Sequence, residues 1–138
     1  MQNRTNFSSG AKWENIVGYS RAVRVGNVLE ISGTVATNEN GVVGKGDVYQ
    51  QARFILTKIE SVLKEAGFDL KDVVRTRMFV TDISQWEKIG QAHGEFFRDI
   101  KPVTSMIEVS KLIDPDYLIE IEATALREIQ DSKLVIRD

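Results

Sequence analysis

Few residue types in this chain can do acid–base or nucleophilic work. There is one histidine, His93, and no cysteine among 138 residues. Thiolate nucleophiles, thiolate metal sites and disulfides are therefore excluded, and any Ser-His arrangement has to use His93. That histidine falls on an apolar helical stripe beside Phe96 and Phe97, a spacing that predicts a packed imidazole. The remaining chemistry rests on carboxylates, guanidinium groups and hydroxyls. In the run YLIEIEATAL, Glu120 and Glu122 alternate with Ile119, Ile121 and Ala123, so a strand places both carboxylates on one face. In VVRTRMFVT, Arg75 and Arg77 share the same period. A structural ion-pair network is the plain reading of these four, and a functional role for one carboxylate or for Arg77 is the sharper one. Ser32 precedes Gly33 inside a β-rich run. There a backbone bulge and a ligand contact are both open.

The composition narrows the classes of partner. Eighteen Lys and Arg stand against 20 Asp and Glu, a formal charge of -2. That balance argues against a surface built to follow a phosphate backbone. With 42% hydrophobic and 28% charged residues, and only 2 Pro and 10 Gly, disordered and collagen-like classes are excluded. The start, MQNRTNFSSGAKWEN, is polar, and no later run reaches the ~18 apolar residues of a membrane span. A cytoplasmic location with no membrane partner is the expectation, with neither a metal nor a cofactor.

The elements that must position these residues follow from periodicity. The run Ser20–Val35 predicts a hairpin turning at Gly26-Asn27. TNENGVVGKGD predicts a surface loop ending at Asp47 as a helix cap. Ala52, Ile55, Ile59, Val62, Leu63 and Ala66 recur at helical spacing from Val48 to Ala66, and Gly67 supplies the stop. A strand follows in VVRTRMFVT, then a second helix from a Ser84 cap to about Arg98, with Trp86, Ile89, Ala92, His93, Phe96 and Phe97 as its apolar stripe. Pro102 ends it, and TSMIEV and YLIEIEATAL close the chain as strands. The order ββαβαββ predicts one α+β sandwich spanning 1–138 with two loose ends, a mixed sheet whose two helices cover a single face. The other face is then expected to present Glu30, Ser32, Thr34, Arg75, Arg77, Thr104, Met106, Glu108, Glu120 and Glu122, with Val28 and Leu118. It is too polar for a core and too mixed for plain solvent. Burial against further copies of the chain is the inference.

The runs GYSRAVRVGNVLEISGTV, KEAGFDLKDVVRTRMFVTD, EFF and KPVTSMIEVSKLIDPDYLIEIEATAL together resemble the Rid, or YjgF-like, family of reactive intermediate and imine deaminases, from about Gly18 to Leu126. The resemblance implies a chorismate mutase-like homotrimer whose inter-subunit clefts take small carboxylate-bearing molecules, and hydrolysis of enamines or imines to ketoacids and ammonia. It assigns ligand contacts to Tyr19, to Ser32 with Gly33, and to Thr104, and gives Glu120 the role of positioning water. Thr104 stands where the family pattern has a carboxylate-binding arginine, Gly90 where it has an asparagine and Thr34 where it has a glutamine. A threonine offers one short hydroxyl contact in place of a bidentate guanidinium pair, a loss on the order of 2–5 kcal/mol for a desolvated pair. The leading expectation is therefore a Rid-like enzyme acting on a metabolite other than the standard amino-acid enamine, with Arg77 as a candidate replacement cation. A non-catalytic ligand-binding or regulatory trimer is the alternative. RNA-directed action, as a ribonuclease or translation inhibitor, ranks last on charge.

Overall fold

The computed structural model describes residues 4–128. Ten elements matter: β1 (Arg4–Phe7), β2 (Ala22–Val25), β3 (Val28–Val35), β4 (Thr37–Asn38), β5 (Gly41–Val42), α1 (Val48–Glu65), β6 (Val73–Val80), α2 (Trp86–Phe97), β7 (Val103–Glu108) and β8 (Ile119–Leu126). The hairpin β2–β3 turns at Gly26, whose φ of 60° is the glycine-first geometry of a type II′ turn. Asp47 accepts a hydrogen bond from the Gln50 amide at 3.0 Å and opens α1. Gly67, at φ 88°, closes it, and the Phe68 amide returns to the Leu63 carbonyl at 2.8 Å.

Six strands form one mixed sheet in the order β1-β2-β3-β8-β6-β7, antiparallel except for the β6–β7 pair. Both helices lie on one side of it. There Leu29, Ile31, Met78, Val80, Ile121 and Ala123 from the sheet meet Ile55, Ile59, Leu63, Ile89 and Phe97 from the helices, all buried. Gln51 is the one polar side chain of α1 in this layer. Its amide donates to the Gly44 and Asp116 carbonyls, and its oxygen accepts from the Leu118 amide at 2.8 Å. A fully satisfied buried amide of this kind fixes the entry into β8, and with it the position of Glu120.

Four details depart from the sequence expectation. Strand β1 adds an edge that the polar start did not announce, because its burial pattern is almost wholly exposed and it pairs only with β2. The segment after Val35 contains the short hairpin β4–β5 inside the expected loop. Ser84 does not cap the second helix but lies in a 3-10 turn, Ile83–Gln85, that leads into it and is capped by Asp82, which accepts from the Ser84 amide at 3.0 Å, and Trp86 is 56% exposed and so outside the stripe. Finally, the uncovered face loses five of its expected members, among them Leu118, which precedes β8 and packs on the buried core beside Gln51. A bulge between Ile31 and Thr34 turns Thr34 to the helix side, where it is buried. The parallel register Thr76↔Thr104 gives β7 the parity of its buried neighbours, so Thr104, Met106 and Glu108 share the side of Thr76, Met78 and Val80.

Candidate functional site

On the uncovered face, the chain before β2 arches over the sheet. Ser8 and Ser9 hydroxyls and the Ser9 amide all donate to the buried Glu14 carboxylate, and these bonds hold its pKa below the usual carboxylate range. That anchor fixes a short π-helical turn, Glu14–Gly18, and the following Tyr19. Between this arm and the sheet lies an open cavity of about 650 Å³, lined among others by Tyr19, Ser20, Ser32, Arg75, Arg77 and Glu122. Tyr19 is 40% exposed, so its ring is available to a ligand and is not consumed by packing.

Ser32 and Gly33 occupy the bulge of β3. The Ser32 hydroxyl donates to the Ser20 carbonyl at 2.6 Å, which leaves its oxygen lone pairs as acceptors. Gly33 lies directly beneath Glu120 of β8. A Cβ at position 33 would sit 2.9 Å from the Glu120 Cδ and closer still to Oε2, so only glycine admits the carboxylate there. Glu120 is half-buried and belongs to no ion pair among the described residues. Burial, and then Glu122, push its carboxyl above the ordinary range, while Arg21 opposes them. A carboxylate moved toward neutrality is suited to exchanging protons with water.

The other candidates separate. Arg77 is paired with Glu122 at 3.0 Å across the β6–β8 register, both partly exposed, so it carries the ion-pair reading. Thr104 is exposed on β7, and its hydroxyl receives a hydrogen bond of 2.7 Å from the buried Thr76. Thr76 Oγ1 also lies 2.9 Å from His93 Nε2. His93 packs on Phe97 with ring centroids 4.7 Å apart, and burial lowers its pKa. The packed histidine therefore also anchors a hydroxyl chain running to the sheet edge. Within one chain, Thr104 and the Ser32–Glu120 group are on opposite faces.

One residue near this group had no expectation attached to it. Arg21 is partly buried, its Nη2 donates to the Gly33 carbonyl at 2.8 Å, and its buried Nε has no acceptor. Burial lowers its pKa, against Tyr19, Glu14 and Glu120, which favour its charge. The signal was present in the turn: a two-residue loop at Gly26-Asn27 pairs Val25 with Val28 and so sets position 21 opposite 32. Lys58 of α1 also reaches inward and donates to the Thr37 carbonyl at 3.2 Å.

Residues 10–127 match the family model described as Endoribonuclease L-PSP. A RutC family protein of Pyrococcus abyssi is 36% identical over 111 residues, covering 80% of this chain and 87% of that protein. The 3-aminoacrylate deaminase RutC of Acinetobacter baylyi is 35% identical over 108 residues, 78% of this chain and 85% of its own length. A crystal structure of a Mycobacterium tuberculosis member of the YjgF/YER057c/UK114 family superposes with a TM-score of 0.82 at 48% identity, covering 90% of this chain and 99% of that one. The fold and these matches converge: the chain belongs to the Endoribonuclease L-PSP family, the YjgF or Rid proteins.

Proposed function

We propose that this protein hydrolyses a small enamine or imine to a carbonyl compound and ammonia, with Glu120 as the proton-transfer group. The observation that carries the reading is the Glu120 carboxylate, half-buried, unpaired and seated on Gly33. An enamine first takes a proton on carbon and becomes an iminium. Glu120 then accepts a proton from water as the new C–O bond forms at the imine carbon and the C=N pair moves to nitrogen. The carbinolamine takes that proton on nitrogen, and as the C–N bond breaks and ammonia leaves, the hydroxyl proton passes to the Glu120 carboxylate, which forms the carbonyl and returns the proton spent on carbon. Tyr19 and the Ser32 lone pairs orient the substrate in this scheme.

Deaminase chemistry in the 35% identical RutC relative supports the reaction class. Thr104 separates the substrate from that of arginine-bearing relatives. For Thr104 and Ser32 to touch one ligand they must come from different copies of the chain, since they face opposite sides of one sheet. A homotrimer with clefts between subunits provides that arrangement. The ribonuclease reading in the family description is set aside because the net charge is -2 and Arg77 on this face is neutralised by Glu122.

The test is ammonia release from freshly generated enamines with and without a carboxylate, each compared with its decay in buffer. Acceleration of at least one member, strongest for a substrate other than 2-aminoacrylate, is expected. No acceleration of any member favours the alternative of a ligand-binding trimer without turnover.

A further inference from the structure

We propose that Arg21 is the cation that holds the anionic group of the ligand, a small carboxylic acid, beside Gly33 and Glu120. The hairpin register sets Arg21 opposite Ser32, and Nη2 is already tied to the Gly33 carbonyl at 2.8 Å, so the guanidinium is fixed at the bulge. Its Nε is buried without an acceptor, and no ion pair among the described residues includes it. Buried N–H donors are ordinarily satisfied by protein, water or a ligand.

The neighbouring charges leave that role open. Glu14 is engaged by Ser8 and Ser9. Glu120 rests over Gly33 and makes no ion pair among the described residues. Lys58 directs two of its three donors to the Val35 and Thr37 carbonyls. Arg77, by contrast, is paired with Glu122. A planar carboxylate matches the guanidinium fork better than a spherical anion does. Such a clamp comes from the start of β2, and it removes the need for a cation at position 104. Held there, a two- to four-carbon oxo acid or its imine presents its reacting carbon toward Glu120. The choice of an oxo acid rests on the deaminase reading above; the clamp itself does not.

The experiment titrates the wild type, Arg21→Gln and Arg75→Gln with pyruvate and with neutral pyruvamide, following amide chemical shifts. Arg21→Gln is expected to weaken pyruvate about tenfold or more while leaving pyruvamide within about twofold, and Arg75→Gln, which removes the rival cation lining the cavity, to cost pyruvate less than Arg21→Gln does. Arg21→Lys, which keeps the charge and loses the fork, should fall between and serves if the glutamine variant does not fold. Pyruvate affinity unchanged in the folded Arg21 variants, equal losses for both probes, a larger loss in Arg75→Gln, or no pyruvate binding to the wild type overturns the assignment. Binding is read without turnover, so the two readings fail separately. Charge discrimination lost in Arg21→Gln, with no ammonia release by the wild type, keeps the clamp and removes the deaminase. Ammonia release unchanged in Arg21→Gln does the reverse.

Discussion

Gly33 and Glu120 depend on each other, and substitutions at either test how. A methyl at position 33 must displace the carboxylate above it, because Glu120 Cγ, Cδ and Oε2 all lie inside the contact distance of a Cβ. Gly33→Ala should therefore lower ammonia release about 100-fold or more, through loss of a positioned proton acceptor, with the fold retained. A variant as active as the wild type contradicts the seating. Glu120→Gln tests the electrostatics. The folded carboxyl has a raised pKa, so its favourable contribution to stability is complete below the unfolded value of about 4.3 and is lost as the pH rises through the folded value. At pH 7 the ionised group is a burden that glutamine removes. Glu120→Gln should raise Tm by about 2–5 °C at pH 7 and by almost nothing near pH 3. A gain of equal size at both pH values would show that burial of the charge is not its cause. At this scale family likeness assigned Ser32 and Gly33 to ligand contacts and Glu120 to positioning water, but not the seating of Glu120 over Gly33, which the bulge and the β3–β8 pairing create, and Arg21 escaped notice although the turn arithmetic places it.

Helix and strand periods were legible wherever one face is buried and the other wet. In α1 the residues Ile55, Ile59 and Leu63 are fully buried, as their spacing requires. Ile59→Asp should destabilise by roughly 4 kcal/mol or more, whereas Ser61→Asp on the exposed side should stay within about 0.5 kcal/mol, as read by urea unfolding. Similar losses in the two variants would contradict the assigned face. Lys58 would be an unsuitable control, since its ammonium reaches the Val35 and Thr37 carbonyls. Strand parity was legible only where pairing is regular. In β8, Ile119, Ile121, Ala123 and Ala125 are buried as expected, because that strand is central and unbroken between β3 and β6. In β3 the bulge moved Thr34 to the other side, and in β7 the edge position let a parallel register set the parity of Thr104. A period-two pattern carries no record of either event, because both depend on how a neighbouring strand is offset.

The single chain leaves apolar surface at its arm and at its edge strand. Ile16 and Val17 are 67% and 69% exposed, and Val103 and Ile107 on β7 are 57% and 40% exposed. Apolar edges of this kind call for cover. The expectation is a trimer of three times 15.6 kDa in sedimentation equilibrium at micromolar concentration, with a stable monomer contradicting it. In a trimer a second copy would bring Thr104 toward the Ser32 face, which one chain keeps on the opposite side of its sheet. Hydrolysis through Glu120 is tested by comparing rates of enamine loss. The decay of freshly generated enamines at pH 7 is followed with wild type, with Glu120→Gln and with buffer alone. The wild type should accelerate decay of at least one enamine, and Glu120→Gln should lose about 100-fold or more of that acceleration. An active Glu120→Gln protein, or a wild type no faster than buffer on every enamine, would contradict it.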